Sequence, residues 1–175
     1  YFGIYKEMYS MFYSEAINSM PRIKISIAKQ RLYLEIDSQT TEYIISTSRF
    51  GPGEKKDSFC TPRGRHIIRA KIGEGETRGQ IFKDRRPTGD IYSPDSHNLE
   101  DGDWILTRIL WLSGTEVGKN RLGNVDTMQR YIYIHGAPDD LILGIPRSMG
   151  CINMSNSDIE ELFHLVEVGT PVEID

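Results

Sequence analysis

Two cysteines in 175 residues, Cys60 and Cys151, are too few for a disulfide framework, and a bridge between them would consume both thiols. Free thiols are therefore expected. The four histidines and two cysteines show none of the short paired spacings of zinc sites, so no metal is expected. Lys and Arg are scattered without a block of like charge, and the net charge is -4, which leaves no electrostatic footprint for nucleic acid or an anionic membrane surface. No apolar run approaches the roughly 20 residues of a membrane-spanning helix. The one glycine-rich stretch with charge, Gly73-Glu74-Gly75-Glu76, lacks the Lys-Ser/Thr ending of a phosphate loop, and its carboxylates would repel phosphate. Nucleotide binding is not expected on that ground, and no cofactor is expected.

The first residues are rich in aromatics and Met, but Lys6, Glu7, Ser10, Ser14 and Glu15 interrupt them. They lack the roughly 7–15-residue apolar centre of a secretory signal. Met20-Pro21 then precedes the first strand-like pattern, so the expected organisation is an N-terminal extension over 1–19 and one domain over 20–175. A chain of this length can bury a self-sufficient core without staples.

What is present is mostly β pattern. Ile23, Ile25 and Ile27 alternate with polar residues, as do Leu32, Leu34 and Ile36, and the short Ala28-Lys29-Gln30-Arg31 link between them predicts a half-buried hairpin. Tyr43 to Thr47 extends it, and Gly51-Pro52-Gly53 opens a loop. Further strands are predicted at His66 to Ile72, Ile81 to Lys83, Trp104 to Leu112, Tyr131 to His135 and Thr170 to Ile174. The Trp104 run is nearly continuous in apolar character, as in a strand buried on both faces. One helix is predicted after Ser155, where Ile159, Leu162, Phe163 and Val166 recur at helical spacing and Asp158 stands three residues past a capping serine. The pattern predicts a mainly β fold, a β-sandwich or open barrel with one or two short helices.

Chemistry concentrates on Cys151 and His135. A thiol on a tight turn preceded by Gly150, with an imidazole ending a strand sixteen residues upstream, is what a cysteine nucleophile requires: an accessible sulfur and a base. The competing reading is a small buried hydrophobe and a satisfied structural histidine. In the catalytic reading the Gly136 carbonyl orients the imidazole, a nearby imidazolium raises the thiolate fraction, and the amides of Met149, Gly150 and Cys151 face the oxygen of a tetrahedral intermediate. Ser148 positions substrate or closes the turn. Arg147 meets a substrate carboxylate or is solvated. Tyr133 shares the His135 face and serves the site or packs across strands. Arg85-Arg86 forms a carboxylate clamp or a solvated corner. Cys60, before Thr61-Pro62, is read as structural.

These residues resemble the catalytic domain of the L,D-transpeptidase, or YkuD-like, family. The likeness lies in His135-Gly136, in Ser148-Met149-Gly150-Cys151-Ile152-Asn153, and in Thr61-Pro62-Arg63-Gly64, which is similar to the family's Thr-Pro-x-Gly segment. Met149 stands where the signature has a second histidine, and Asn153 stands at a substrate-contacting position where many relatives have Arg. The resemblance implies a β-rich sandwich with the cysteine beside a groove. It implies attack by Cys151 on the L,D bond of a peptidoglycan stem tetrapeptide and a thioester acyl-enzyme. Transfer to an amine then forms a 3-3 cross-link, whereas transfer to water trims the stem, as an L,D-carboxypeptidase does in murein recycling. A non-catalytic peptidoglycan-binding domain is the third possibility. The partner implied is a muropeptide. Without a visible export signal the expected compartment is the cytoplasm, or the cell envelope if that signal lies outside this chain.

Overall fold

A computed structural model of the protein describes residues 20–99 and 102–175; the extension expected over 1–19 lies outside the described residues. The expected hairpin forms β1 (Arg22–Ser26) and β2 (Arg31–Ile36), in which Ile23 faces Leu34 and Ile25 faces Leu32. All four side chains are buried, as period-2 alternation on one covered face demands. β3 (Gln39–Ile44) pairs with β2. β4 (Gly64–Ile72), β5 (Gln80–Lys83), β6 (Arg86–Ile91) and β7 (Leu106–Gly114) follow. β8 (Tyr133–Gly136), β9 (Ile152–Met154), helix α1 (Asn156–Leu165) and β10 (Pro171–Ile174) complete the chain. The protein is mainly β, as its alternating patterns predict, and α1 is the α-helix found among the described residues.

The strands run in the order β3-β2-β1-β10-β4-β7, and β8 and β9 continue from β7. Most neighbours are antiparallel, but β1 pairs with β10 and β8 with β9 in parallel. The residues expected to prolong the third strand do something else. Past Ile44 the chain leaves β2, and Ser46 exchanges two backbone hydrogen bonds with Asn153 of β9 at 3.0 and 2.8 Å. That bridge joins the ends of the curled sheet. The β5–β6 hairpin branches from β7 through Ile81 and Leu106. β6 was not legible in the sequence because it is exposed throughout and contains Pro87 and Gly89, which an edge strand tolerates and a central strand does not.

Inside the curl, Ile23, Ile25, Leu32, Leu34, Ile68, Leu110, Leu112, Ile134, Ile152 and Met154 form one core with Ile159, Leu162 and Phe163 of α1. The Ser155 hydroxyl caps α1 by accepting the Asp158 N–H at 3.1 Å. Each fully buried aliphatic side chain contributes roughly 1.5–3 kcal/mol relative to exposure.

Outside that core sits a buried imidazole. The His66 Nδ1–H donates to the Gly64 carbonyl at 2.9 Å, and Nε2 accepts the Thr127 hydroxyl at 3.0 Å. Both nitrogens are thus satisfied in the neutral ring. Burial pushes the pKa down from 6.5 to about 4, against the smaller opposing pull of the Gly64 carbonyl. Since the unfolded chain takes up this proton first, stability present above about pH 6.5 is lost as the pH falls toward about 4. Chemical denaturation across that window is expected to show a loss of roughly 3 kcal/mol from this group. The loss should shrink in the His66→Gln variant; an unchanged acid limb would contradict the assignment.

Candidate active site

The parallel pairing of β8 and β9 sets Ile134 beside Ile152 and His135 beside Asn153. Side chains alternate along each strand, so the two isoleucines enter the core while Tyr133, His135, Cys151 and Asn153 share the opposite face. Cys151 immediately precedes β9. Cys151 and His135 therefore stand at diagonal positions on one face of this strand pair.

His135 is completely buried. Its Nδ1–H donates to the Gly136 carbonyl at 2.9 Å, which leaves the Nε2 lone pair free, and Nε2 has no hydrogen-bond partner among the described residues. Burial holds the imidazole below its ordinary pKa, while the Gly136 carbonyl and Asp103 act weakly the other way. Gly136 has no room for a side chain: a Cβ would lie 2.6 Å from the Leu106 carbonyl oxygen and 2.7 Å from Asn156 Oδ1. That closeness comes from a bulge in β7 between Leu106 and Ile109, where Thr107 adopts a φ of 69°. A β-branched residue rarely takes this conformation. Three hydrogen bonds hold it: the Thr107 hydroxyl accepts the Gly79 N–H at 2.9 Å and donates to Asn156 Oδ1 at 2.5 Å, while Asn156 Nδ2 donates to Asp139 at 2.9 Å.

Cys151 is partly open to solvent and packs against Phe82, Ile109 and Tyr133. Its sulfur accepts the Tyr133 N–H at 3.4 Å and lies 3.4 Å from the Tyr131 carbonyl oxygen, to which the S–H donates. Burial of the sulfur pushes the thiol up to about 12; the Tyr133 N–H and Arg130 oppose this, and Asp103 adds to it. A depressed imidazole and a raised thiol mean a neutral resting pair. Burial works against the imidazolium expected at rest, because it penalises both charges.

The Cys151 turn is held from inside. Gly150 has a φ of 125°, a conformation that side chains rarely adopt. Ser148 is fully buried, its hydroxyl donates to the Cys151 carbonyl at 2.5 Å and accepts the Gly150 N–H at 3.2 Å, and so it closes the turn. The Met149 N–H donates to Asp103 Oδ2 at 2.8 Å. Two of the three amides expected to face an oxyanion, Met149 and Gly150, are therefore engaged. The Cys151 N–H lies outside the β8–β9 ladder and has no acceptor among the described residues.

A cavity of about 570 Å³ adjoins the turn, lined in part by Arg49, Asp103, Trp104, Arg147, Met149 and Asn153. Arg147 also donates to the Ile142 carbonyl at 2.5 Å. Asn153 is buried, with Oδ1 unpartnered among the described residues. Tyr133 is buried in the site face, and its hydroxyl accepts from Arg85 at 3.0 Å. Arg86 is not brought to the site. Asp84 and Arg85 form the β5–β6 turn with φ of 49° and 65°, which lays the Arg85 guanidinium 5.0 and 4.9 Å from the Trp111 and Tyr131 rings, while Arg86 begins an exposed strand. Tyr131, expected beside Tyr133, precedes β8 with a φ of 57° and is half exposed. Asp103 and Arg49 carried no motif that could have singled them out.

Comparison with known proteins follows the same lines. A family model described as the L,D-transpeptidase catalytic domain matches residues 20–174. No curated protein matches the chain. Among solved structures, an L,D-transpeptidase from Mycobacterium smegmatis is similar with a TM-score of 0.52 and 18% identity, over 89% of this chain and 58% of that one. An Enterococcus faecium L,D-transpeptidase carrying a cysteine-to-serine substitution gives 0.54 and 18%, over 89% and 50%. L,D-transpeptidase 3 from Mycobacterium tuberculosis, in complex with a faropenem-derived adduct, gives 0.54 and 20%, over 89% and 60%. At such identities the likeness is one of fold. The chain spans between half and three fifths of the length of these structures.

Two measurements test the geometry. Iodoacetamide alkylation of Cys151, read by peptide mass spectrometry so that Cys60 is scored separately, is expected to keep rising with pH past the roughly 8.5 of a free thiol. A plateau reached below about pH 8 would show a resting thiolate instead. The Gly136→Ala variant is expected to lose about 1–3 kcal/mol of stability through overpacking, seen as a lower Tm. A variant as stable as the parent would show that the Leu106 carbonyl yields freely.

Proposed function

Because the chain belongs to the L,D-transpeptidase catalytic-domain family, we propose that it is a cysteine-dependent acyltransferase acting on the L,D bond of peptidoglycan stem tetrapeptides. The observation that carries this reading is His135: Nδ1 is committed to the Gly136 carbonyl, and a free Nε2 shares one face with the Cys151 thiol. A neutral base beside a neutral thiol suits proton transfer during attack rather than before it.

As Cys151 Sγ bonds to the carbonyl carbon of the L-centre in the third stem residue, its proton passes to His135 Nε2. The carbonyl oxygen takes the negative charge. Collapse of that intermediate breaks the C–N bond, and the terminal D-alanine leaves as an amine with the proton from the imidazolium. A thioester remains. An amine from a second stem then gives a proton to Nε2 as it bonds to the same carbon; the C–S bond breaks, and the imidazolium reprotonates the sulfur. The product is a 3-3 cross-link. Water in place of the amine gives a tripeptide, the carboxypeptidase outcome.

Met149 in place of the signature histidine does not remove either reacting group: its partly exposed side chain lines the cavity, and its amide joins the turn. This favours an active enzyme over a non-catalytic binding domain.

Purified protein incubated with a disaccharide tetrapeptide, with and without a second stem as acceptor, is expected to release D-alanine and to carry a thioester on Cys151 by mass spectrometry. Cys151→Ala should abolish both, and His135→Gln should slow release by roughly a hundred- to ten-thousand-fold. A dimer formed only with the second stem identifies transfer, and a tripeptide alone identifies hydrolysis. Release that survives Cys151→Ala, or its absence in the parent protein, would refute the proposal.

A further inference from the structure

The peptide group joining Gly150 to Cys151 is planar and trans, so its carbonyl oxygen and its N–H point in opposite directions. Whatever holds the Gly150 oxygen therefore aims the Cys151 N–H. Thr61 holds it. Its hydroxyl donates to the Gly150 carbonyl at 2.9 Å and accepts the Ser48 N–H at 3.0 Å, so the hydroxyl proton has one direction left to take.

Thr61 is itself immobilised. It is fully buried, its N–H donates to the Gly51 carbonyl at 3.0 Å, and its own carbonyl accepts the Gly53 N–H at 2.9 Å. The carbonyl before it, that of Cys60, accepts Arg130 Nη2 at 2.7 Å. A Cβ on Gly150 would come within 3.5 Å of that Cys60 oxygen and 3.0 Å of Ile132, so this loop and the nucleophile turn lie against each other with no slack. The Cys151 N–H, on the far edge of the peptide, has no acceptor among the described residues, whereas the Met149 and Gly150 amides are engaged.

We propose that Thr61 is a positioning residue for acyl transfer: its hydroxyl fixes the Gly150–Cys151 peptide plane so that the Cys151 N–H donates to the oxyanion formed when the sulfur attacks a carbonyl. This rests on the acyl-transfer reading above, but not on the stem peptide as substrate.

The test compares two reactions of the same sulfur. With p-nitrophenyl acetate, Sγ bonds to the acyl carbon, an oxyanion forms, p-nitrophenolate leaves, and the thiol proton passes to His135. With iodoacetamide, Sγ displaces iodide at a saturated carbon and no oxyanion appears. Thr61→Val, which removes the donor at similar volume, is expected to slow acetylation of Cys151 about 10- to 100-fold, part of what deleting an oxyanion donor costs. Alkylation should stay within about twofold, since its transition state lacks the developing charge. Thr61→Ser, which keeps the hydroxyl, should bring acetylation back to within about threefold of the parent. Equal loss in both reactions would mean a role in folding the turn alone and would overturn the proposal, as would no loss in either. A parent protein that is acetylated on Cys151 yet leaves tetrapeptide intact would refute the substrate assignment while still deciding the role of Thr61.

Discussion

The parallel pairing of β8 with β9 is the contact on which the site depends. One register, His135 beside Asn153, sends Ile134 and Ile152 into the core and brings the thiol and imidazole to the opposite face. A slip of one residue along either strand would exchange those faces, burying polar groups in the core. The register is guarded from both sides. β8 is held by the antiparallel ladder to β7, and β9 by the backbone exchange between Asn153 and Ser46 that joins the ends of the curled sheet. Ile134, Ile152 and Met154 have no exposure at all, which makes the alternative pairing costly.

Around this pair the protein spends order on direction rather than on charge. The bulge at Thr107 brings Leu106 against Gly136, so the carbonyl that sets the imidazole tautomer has no freedom to move. Ser148 and Thr61 tie the carbonyls of Cys151 and Gly150. No salt bridge of the described residues includes Cys151 or His135, and burial keeps both neutral at rest. In the proposed acyl transfer, charge arises only with the reaction, where preorganised donors act most strongly. Asp103 runs against this pattern. Its carboxylate sits on the Met149 amide and disfavours negative charge on the thiol, so its loop tunes the site from outside the motif.

Most central strands could be read in advance. β1, β2 and β7 have covered faces, and burial imposes alternation or continuous apolar runs on them. β6 has no covered face, and β9 is three residues long, too short for any period to register. The stretch after Ile44 has strand character, yet it pairs with β9 instead of β2, because partner choice depends on where another strand arrives. The site divides in the same way. Cys151, His135, Gly136 and Ser148 stand in recognisable motifs. Arg86 was preferred as readily as Arg85, and only the backbone of the turn decides which of two adjacent arginines lies over Tyr131. Thr61 was visible as part of a motif, but its hydrogen bond to Gly150 spans 89 positions in the chain.

Residue types and their local order determined the β class, the capped helix, the family likeness and the choice of Cys151 and His135 as the candidate reacting pair. These follow from neighbouring residues, whose side-chain period and chemical character do not depend on the rest of the molecule. Tertiary structure alone decided that the sulfur and imidazole rest uncharged, that Met149 and Gly150 spend their amides while Cys151 keeps its own, and that Ser46 joins the ends of the sheet. Those outcomes depend on desolvation and on hydrogen bonds between segments far apart in the chain.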